Sequence, residues 1–97
     1  MTHFRITAAA KQDLKNIAKF TQTNWGREQR NIYLTDFDHA FHQLAENPEL
    51  GQECDYVYPG YRFFPVGSHL VFYKSGIDKT VEIIRVLHKR MNVSSRI

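Results

Sequence analysis

A single glycine, Gly26, separates two stretches whose apolar residues recur with the period of an α-helix. From Ala8 to Trp25 they fall at Ala10, Leu14, Ile17, Ala18 and Trp25, the spacing of one helical face. Lys11, Asp13, Lys15, Asn16 and Gln22 fill the opposite face. From about Arg27 to Asn47 the stripe is Tyr33, Phe37, Ala40, Phe41 and Leu44, and Pro48 and Gly51 end it. Glycine takes the left-handed backbone region without steric penalty, so Gly26 stops the first helix and lets the second begin at once. Thr7 precedes the first helix and can cap it with its hydroxyl. Two amphipathic helices joined this way form a hairpin, and each needs a further surface on which to bury its stripe.

The remaining segments supply that surface. Phe4-Arg5-Ile6-Thr7 alternates apolar and polar residues, as a half-buried strand does. A polar, aromatic loop, Gln52 to Gly60, is followed by three runs rich in β-branched and aromatic residues: Tyr61–Phe64, His69–Lys74 and Thr80–His88. Pro65–Ser68 and Ser75–Lys79 read as the turns between them. Such short connections predict an antiparallel meander. The expected fold is α+β, in the order β-α-α-β-β-β, with the helical hairpin on one face of an antiparallel sheet. Leu14, Ile17, Tyr33, Phe37, Phe41 and Leu44 should face the sheet. In the last strand Thr80, Glu82, Ile84, Val86 and His88 share one phase, and Val81, Ile83, Arg85 and Leu87 the other. Neither is cleanly polar. Arg85 among aliphatics fits an anion-binding face, and equally a snorkelling side chain with its head in water.

At 97 residues, with no repeat and no linker, the chain reads as one domain, 1–97. It is too short for a barrel of alternating strands and helices, which takes ~250 residues. Thirteen Lys+Arg against ten Asp+Glu give a net charge of +3, compatible with an acidic partner without demanding one. The densest cationic cluster is at the end: Arg85, His88, Lys89, Arg90 and Arg96. A lone cysteine, no apolar run of ~18 residues and no apolar core after Met1-Thr2-His3-Phe4-Arg5 predict a cytoplasmic protein. There is no glycine-rich phosphate loop, and no cofactor is expected. His39 and His42 lie near Asp36 and Asp38, but no further ligands are evident, so a surface pair is expected and no metal. Cys54 has no basic neighbour in sequence to activate it as a nucleophile.

Several motifs occur in an ordered combination along almost the whole chain. They are Leu14 and Ile17 with Trp25-Gly26; Tyr33 and Phe37; Leu44 with Asn47-Pro48-Glu49-Leu50-Gly51; Gly60-Tyr61-Arg62-Phe63-Phe64-Pro65; Gly67-Ser68-His69-Leu70-Val71-Phe72-Tyr73; and Ile84-Arg85-Val86-Leu87-His88-Lys89-Arg90-Met91-Asn92. In this combination the chain resembles the ParE toxins of the ParE/RelE toxin–antitoxin superfamily, although the ParE ending more often has Asp where this chain has Asn92. The resemblance implies the strand-helix-helix-meander fold. It also implies a toxin that poisons DNA gyrase and blocks replication, a plasmid-stabilisation type of activity. Its partner would be a ParD-type antitoxin with a ribbon-helix-helix DNA-binding end, the complex repressing its own operon. Operator DNA would be met only through the antitoxin. RelE-like relatives share the fold and cleave mRNA on the ribosome, and this is the alternative activity.

The two activities point to different residues. RNA cleavage needs a base, an acid and a cation for the phosphorane charge, which Arg62, Arg85 and His88 could supply. The loop Gln52-Glu53-Cys54-Asp55-Tyr56-Val57-Tyr58, acidic and without lysine, would repel RNA phosphates. A toxin acting by contact needs no catalytic residue. For it His88, Lys89, Arg90 and Met91 are the gyrase-contact candidates, cations beside apolar side chains. Phe20 and Ile32 fall off the helix stripes and flank Trp25-Gly26, so Phe20, Trp25 and Ile32 are the candidates for an antitoxin groove. The segment from Met91 to Ile97 is expected to lie beyond the last strand and to add little to the core.

Overall fold

Thr7 ends one element and starts the next. Its hydroxyl oxygen accepts from the Ala10 N–H at 3.1 Å, the expected cap, and its O–H donates to the Ile84 carbonyl at 2.8 Å. Helix α1 (Ala8–Trp25) is thereby tied to the last strand of the chain from its first turn. At Gly26, with φ of 94°, the chain turns and α2 (Arg27–Glu46) begins in the next residue. The computed structural model describes residues 3–76, 78–93, 96 and 97, so Ile77 of the expected turn, residues 94 and 95 of the tail, and Met1 and Thr2 lie outside the described residues.

The strands are β1 (Phe4–Ile6), β2 (Gln52–Glu53), β3 (Arg62–Val66), β4 (His69–Ser75) and β5 (Val81–His88). They form one sheet in the order β1-β5-β4-β3-β2. The α+β architecture and the antiparallel meander β3-β4-β5 follow the sequence reading. Two features differ. Strand β1 joins β5 in parallel, so the sheet is mixed. No turn sets its direction, because β5 lies at the other end of the chain. The loop also contains a two-residue strand, β2, paired with β3 and too short to show periodicity.

Both helices pack on one face of the sheet. Ile17, Phe37, Phe41 and Leu44 are buried there against Val71, Tyr73, Val81, Ile83 and Val86, with Leu14 and Tyr33 half-buried beside them. Full burial of a side chain such as Phe37 contributes ~1.5–3 kcal/mol. Trp25 departs from its stripe: it is 64% exposed and leans on Phe20 with ring centroids 6.1 Å apart. The opposite sheet face carries a second apolar cluster of Cys54, Tyr61, Phe72 and Leu87, with Phe63, Leu70 and Ile84. Val93 and Ile97 pack onto it. The C-terminal segment therefore covers this face, contrary to the expectation that it adds little to the core.

The mixed phases of β5 have a simple cause. Tyr73 stands opposite Ile83 and Phe72 opposite Arg85, so Ile84 is an extra residue. A bulge of this kind reverses the alternation of side chains past it. Val81 and Ile83 face the helices before it, and Val86 faces them after it.

Candidate partner-binding site

The Gly26 end of the helix hairpin and the β3–β4 turn enclose a groove of about 500 Å³. Its walls are Phe20, Trp25 and Ile32, the three residues expected to form an antitoxin groove, and the structure brings them together. They are 63%, 64% and 49% exposed, an apolar surface that no part of the described chain covers. The floor is polar: Tyr33, Ser68, His69 and His88.

The turn Gly67–Ser68 positions that floor. Val66 pairs with His69, so the connection has two residues, and its first must take positive φ. Gly67 does so at 55°, and a Cβ there would also meet the Tyr33 ring at 2.7 Å. Tyr33 makes the join. Its hydroxyl donates to the Val66 carbonyl at 2.9 Å, accepts from the Ser68 N–H at 3.2 Å, and lies 2.7 Å from His69 Nδ1. His69 in turn faces His88, ring centroids 5.3 Å apart and nearly perpendicular. Burial, then the neighbouring His88, lowers the His69 pKa to about 4, so it is neutral at neutral pH. Sequence reasoning placed Tyr33 in the core stripe and missed its hydroxyl contacts, which come from residues more than thirty positions away.

A second concavity adjoins the first and is lined by Gly67, Ser68, His88, Lys89 and Arg90. The two share Gly67, Ser68 and His88. Three gyrase-contact candidates therefore stand directly beside the three groove candidates, with His88 in both. Met91 is exposed and lines a smaller cleft with Asp13, Arg85 and Arg96.

The nuclease trio is not assembled. Arg62, two strands from β5, donates to the Gly51 carbonyl at 2.8 Å and to Glu53 Oε1 at 3.1 Å. Arg85 is clamped by Asp13, with Nε to Oδ2 at 2.7 Å and Nη2 to Oδ1 at 2.9 Å, and its Nη1 donates to the Arg96 carbonyl at 2.6 Å. The hydrogen bonds to Asp13 raise its pKa above the ordinary guanidinium value. Arg85 thus neither snorkels nor offers an open anion site. Asp13 also accepts from the Val86 N–H at 3.0 Å, beyond the point where β1 leaves the β5 edge. By helical periodicity alone Asp13 belongs to the solvent face. The available signal was that a charge inside an aliphatic strand demands a partner, and Asp13 is the one carboxylate of α1.

The remaining candidates stay apart from the groove. His42 is exposed, with Nδ1 2.8 Å from the Asp38 carbonyl and its ring 5.0 Å from that of Phe4. Among the described residues no three metal-ligating side chains gather. Cys54 is fully buried, and burial raises its thiol pKa. No helix among the described residues is long and apolar enough to cross a membrane.

Comparison with known proteins places this arrangement in a family. The "Toxin ParE1" of Mycobacterium tuberculosis is 38% identical over 92 residues, covering 95% of this chain and 94% of that protein. The "Toxin ParE1" of Caulobacter vibrioides is 38% identical over 97 residues, covering 100% of this chain and 99% of that one. A solved structure titled "Chromosomal ParDE TA system from P. aeruginosa" superposes with a TM-score of 0.77 at 19% identity, covering 91% of this chain and 96% of its own. At that identity it speaks to the fold. The family described as "ParE toxin of type II toxin-antitoxin system, parDE" matches residues 4–93, and the chain belongs to it.

Proposed function

We propose that this toxin acts in the cytoplasm by binding DNA gyrase, without catalysis, and that a ParD-type antitoxin neutralises it. The toxin–antitoxin complex would repress its own operon, with the antitoxin alone touching operator DNA. The observation that carries this reading is the shared wall. An apolar groove suited to an amphipathic helix runs into a basic concavity suited to a larger protein surface, through Gly67, Ser68 and His88. An antitoxin seated in the first would crowd any partner on the second, which is neutralisation by occlusion. Against the nuclease reading, Arg62 and Arg85 already hold protein acceptors, and Arg85 would have to leave Asp13 to reach a phosphate.

The test is purified protein with gyrase and supercoiled plasmid, read as cleaved DNA. Reversing Lys89 and Arg90 to glutamate should abolish cleavage while leaving the melting midpoint and antitoxin binding in place. Deletion of the tail is a poorer probe, because Val93 and Ile97 cover a sheet face. Cut mRNA on ribosomes, with gyrase unaffected and activity lost in His88→Ala and Arg85→Ala, would establish the nuclease instead.

A further inference from the structure

The groove carries a negative charge and no lysine or arginine to answer it. Among the described residues none of either type lines it, although the chain holds thirteen. Its one carboxylate is Asp36 of α2. Asp36 is exposed, and among the described residues its carboxylate has neither an ion pair nor a hydrogen bond. Asp38 of the same helix differs, standing 3.6 Å from His42 Nδ1. Burial raises the Tyr33 pKa and the charge of Asp36 adds to the rise, so the carboxylate stands near the phenol.

The same groove is lined by three aromatic side chains, Phe20, Trp25 and Tyr33. Phe20 and Trp25 lean on each other with 47° between their ring planes, and most of each remains open to solvent. The Tyr33 hydroxyl is already hydrogen-bonded to the β3–β4 turn, which leaves its ring for a partner. Aromatic faces are electronegative, and several of them beside an unanswered carboxylate attract an organic cation. A guanidinium suits the combination best. It stacks on aromatic rings, offers a carboxylate two parallel N–H groups and sheds water more readily than an ammonium does.

The surrounding charges fix where such a cation sits. Lys89 and Arg90 line the adjoining concavity, beyond His88. On the α2 side a shallow cleft shares Ile32 and Asp36 with the groove and adds Glu28, again with no lysine or arginine. Arg30 is engaged by Gln22 and Asn31. The favourable place is therefore beside Asp36.

We propose that the groove receives an arginine of the antitoxin, its guanidinium paired with Asp36 and lying on the aromatic rings, while apolar side chains of the same segment fill the walls. This rests on the reading that the antitoxin occupies the groove.

The test uses the full chain labelled with nitrogen-15, read at the Trp25 indole and at the Ile32 and Ser68 amides. The probes are acetyl-leucyl-arginine amide and acetyl-leucyl-citrulline amide, equal in shape and differing in a charged guanidinium against a neutral urea. The arginine probe should shift all three signals and bind about tenfold tighter, the combined worth of an exposed ion pair and a cation on aromatic rings. Asp36→Asn should remove most of that preference at an unchanged melting midpoint. Trp25→Leu, which keeps an apolar wall without the ring, should reduce it. Equal or tighter binding of the citrulline probe, or a preference undiminished in Asp36→Asn, would overturn the proposal. The parent reading fails separately: full antitoxin added to the same sample must shift the Trp25 indole and displace the arginine probe. It should also bind Asp36→Lys at least tenfold more weakly. If it shifts Trp25 and binds Asp36→Lys undiminished, the groove reading stands and the arginine assignment falls. If it leaves Trp25 unmoved, the groove is not the antitoxin's seat and both fall.

Discussion

The two faces of the sheet are closed in different ways. On one, two helices of 18 and 20 residues lay continuous apolar stripes on the strands, and Phe37, Leu44, Tyr73 and Ile83 are buried almost completely. On the other, a loop and a C-terminal segment bring isolated residues, Cys54, Tyr61, Val93 and Ile97, onto Phe72 and Leu87. The first face is regular, and its cover is two continuous helices. The second is assembled from pieces, each held by a few contacts. On the function proposed above, partner contact gathers where the regular face runs out, at the Gly26 end of the hairpin, rather than on the patched face.

That contrast can be tested by truncation. Phe37→Ala or Leu44→Ala should lower stability by ~3–5 kcal/mol, the upper part of the range for deleting a packed core side chain, since neither helix can collapse into the void. Removing Val93 and Ile97 together by alanine substitution should lower it by only ~1–2 kcal/mol, because both sites are partly open to water. Denaturant midpoints at unchanged slope would measure both. Equal losses on the two faces would erase the distinction.

Asp13 joins the regular face to the bulge in β5. Asp13→Ala should destabilise by ~2–4 kcal/mol, because it strands a largely covered guanidinium and leaves the Val86 N–H unpaired. A double-mutant cycle with Arg85→Met should recover part of the loss. Full additivity would show that the pair acts only through its surroundings.

The smallest effect expected is a pH dependence at the groove. His69 titrates at about 4 in the folded chain and near the ordinary histidine value of about 6.5 when unfolded. Between those values the unfolded state binds the extra proton. The chain should therefore lose stability as pH falls through that window, and show no contribution from this group above it. The slope is at most ~1.4 kcal/mol per pH unit, reduced by the water that reaches a half-buried ring. His69→Gln should remove this component from the pH profile. An unchanged profile would show that burial does not hold the ring neutral.

What could be read from the sequence follows the same division. The helices were legible because Leu14, Ile17, Phe37, Phe41 and Leu44 repeat at a fixed period and Gly26 marks the break. Phe20 and Ile32 were legible as groove residues because they fall outside that period. The parallel seating of β1 was not, since turn length dictates direction only between consecutive strands. Nor was the tail's return to the sheet: Val93 and Ile97 are two apolar residues, too few to show a pattern. The bulge at Ile84 hid the phases of β5, and the hydroxyl of Tyr33 was masked by its ring, which alone explains its place in the stripe.

The parallel pairing of β1 with β5 has a consequence for synthesis. Strand β1 has no partner until β5 exists. Residues Phe4 to Ile6 must wait for Val81 to Ile83, a delay of roughly 4–15 s at ~5–20 residues per second. The Thr7 and Asp13 contacts to β5 wait with them. Until then the N-terminal strand and the apolar stripes of both helices lack one of the strands that cover them. A toxin built this way reaches its working form only once β5 has been made, so its maturation is timed by the topology of the sheet.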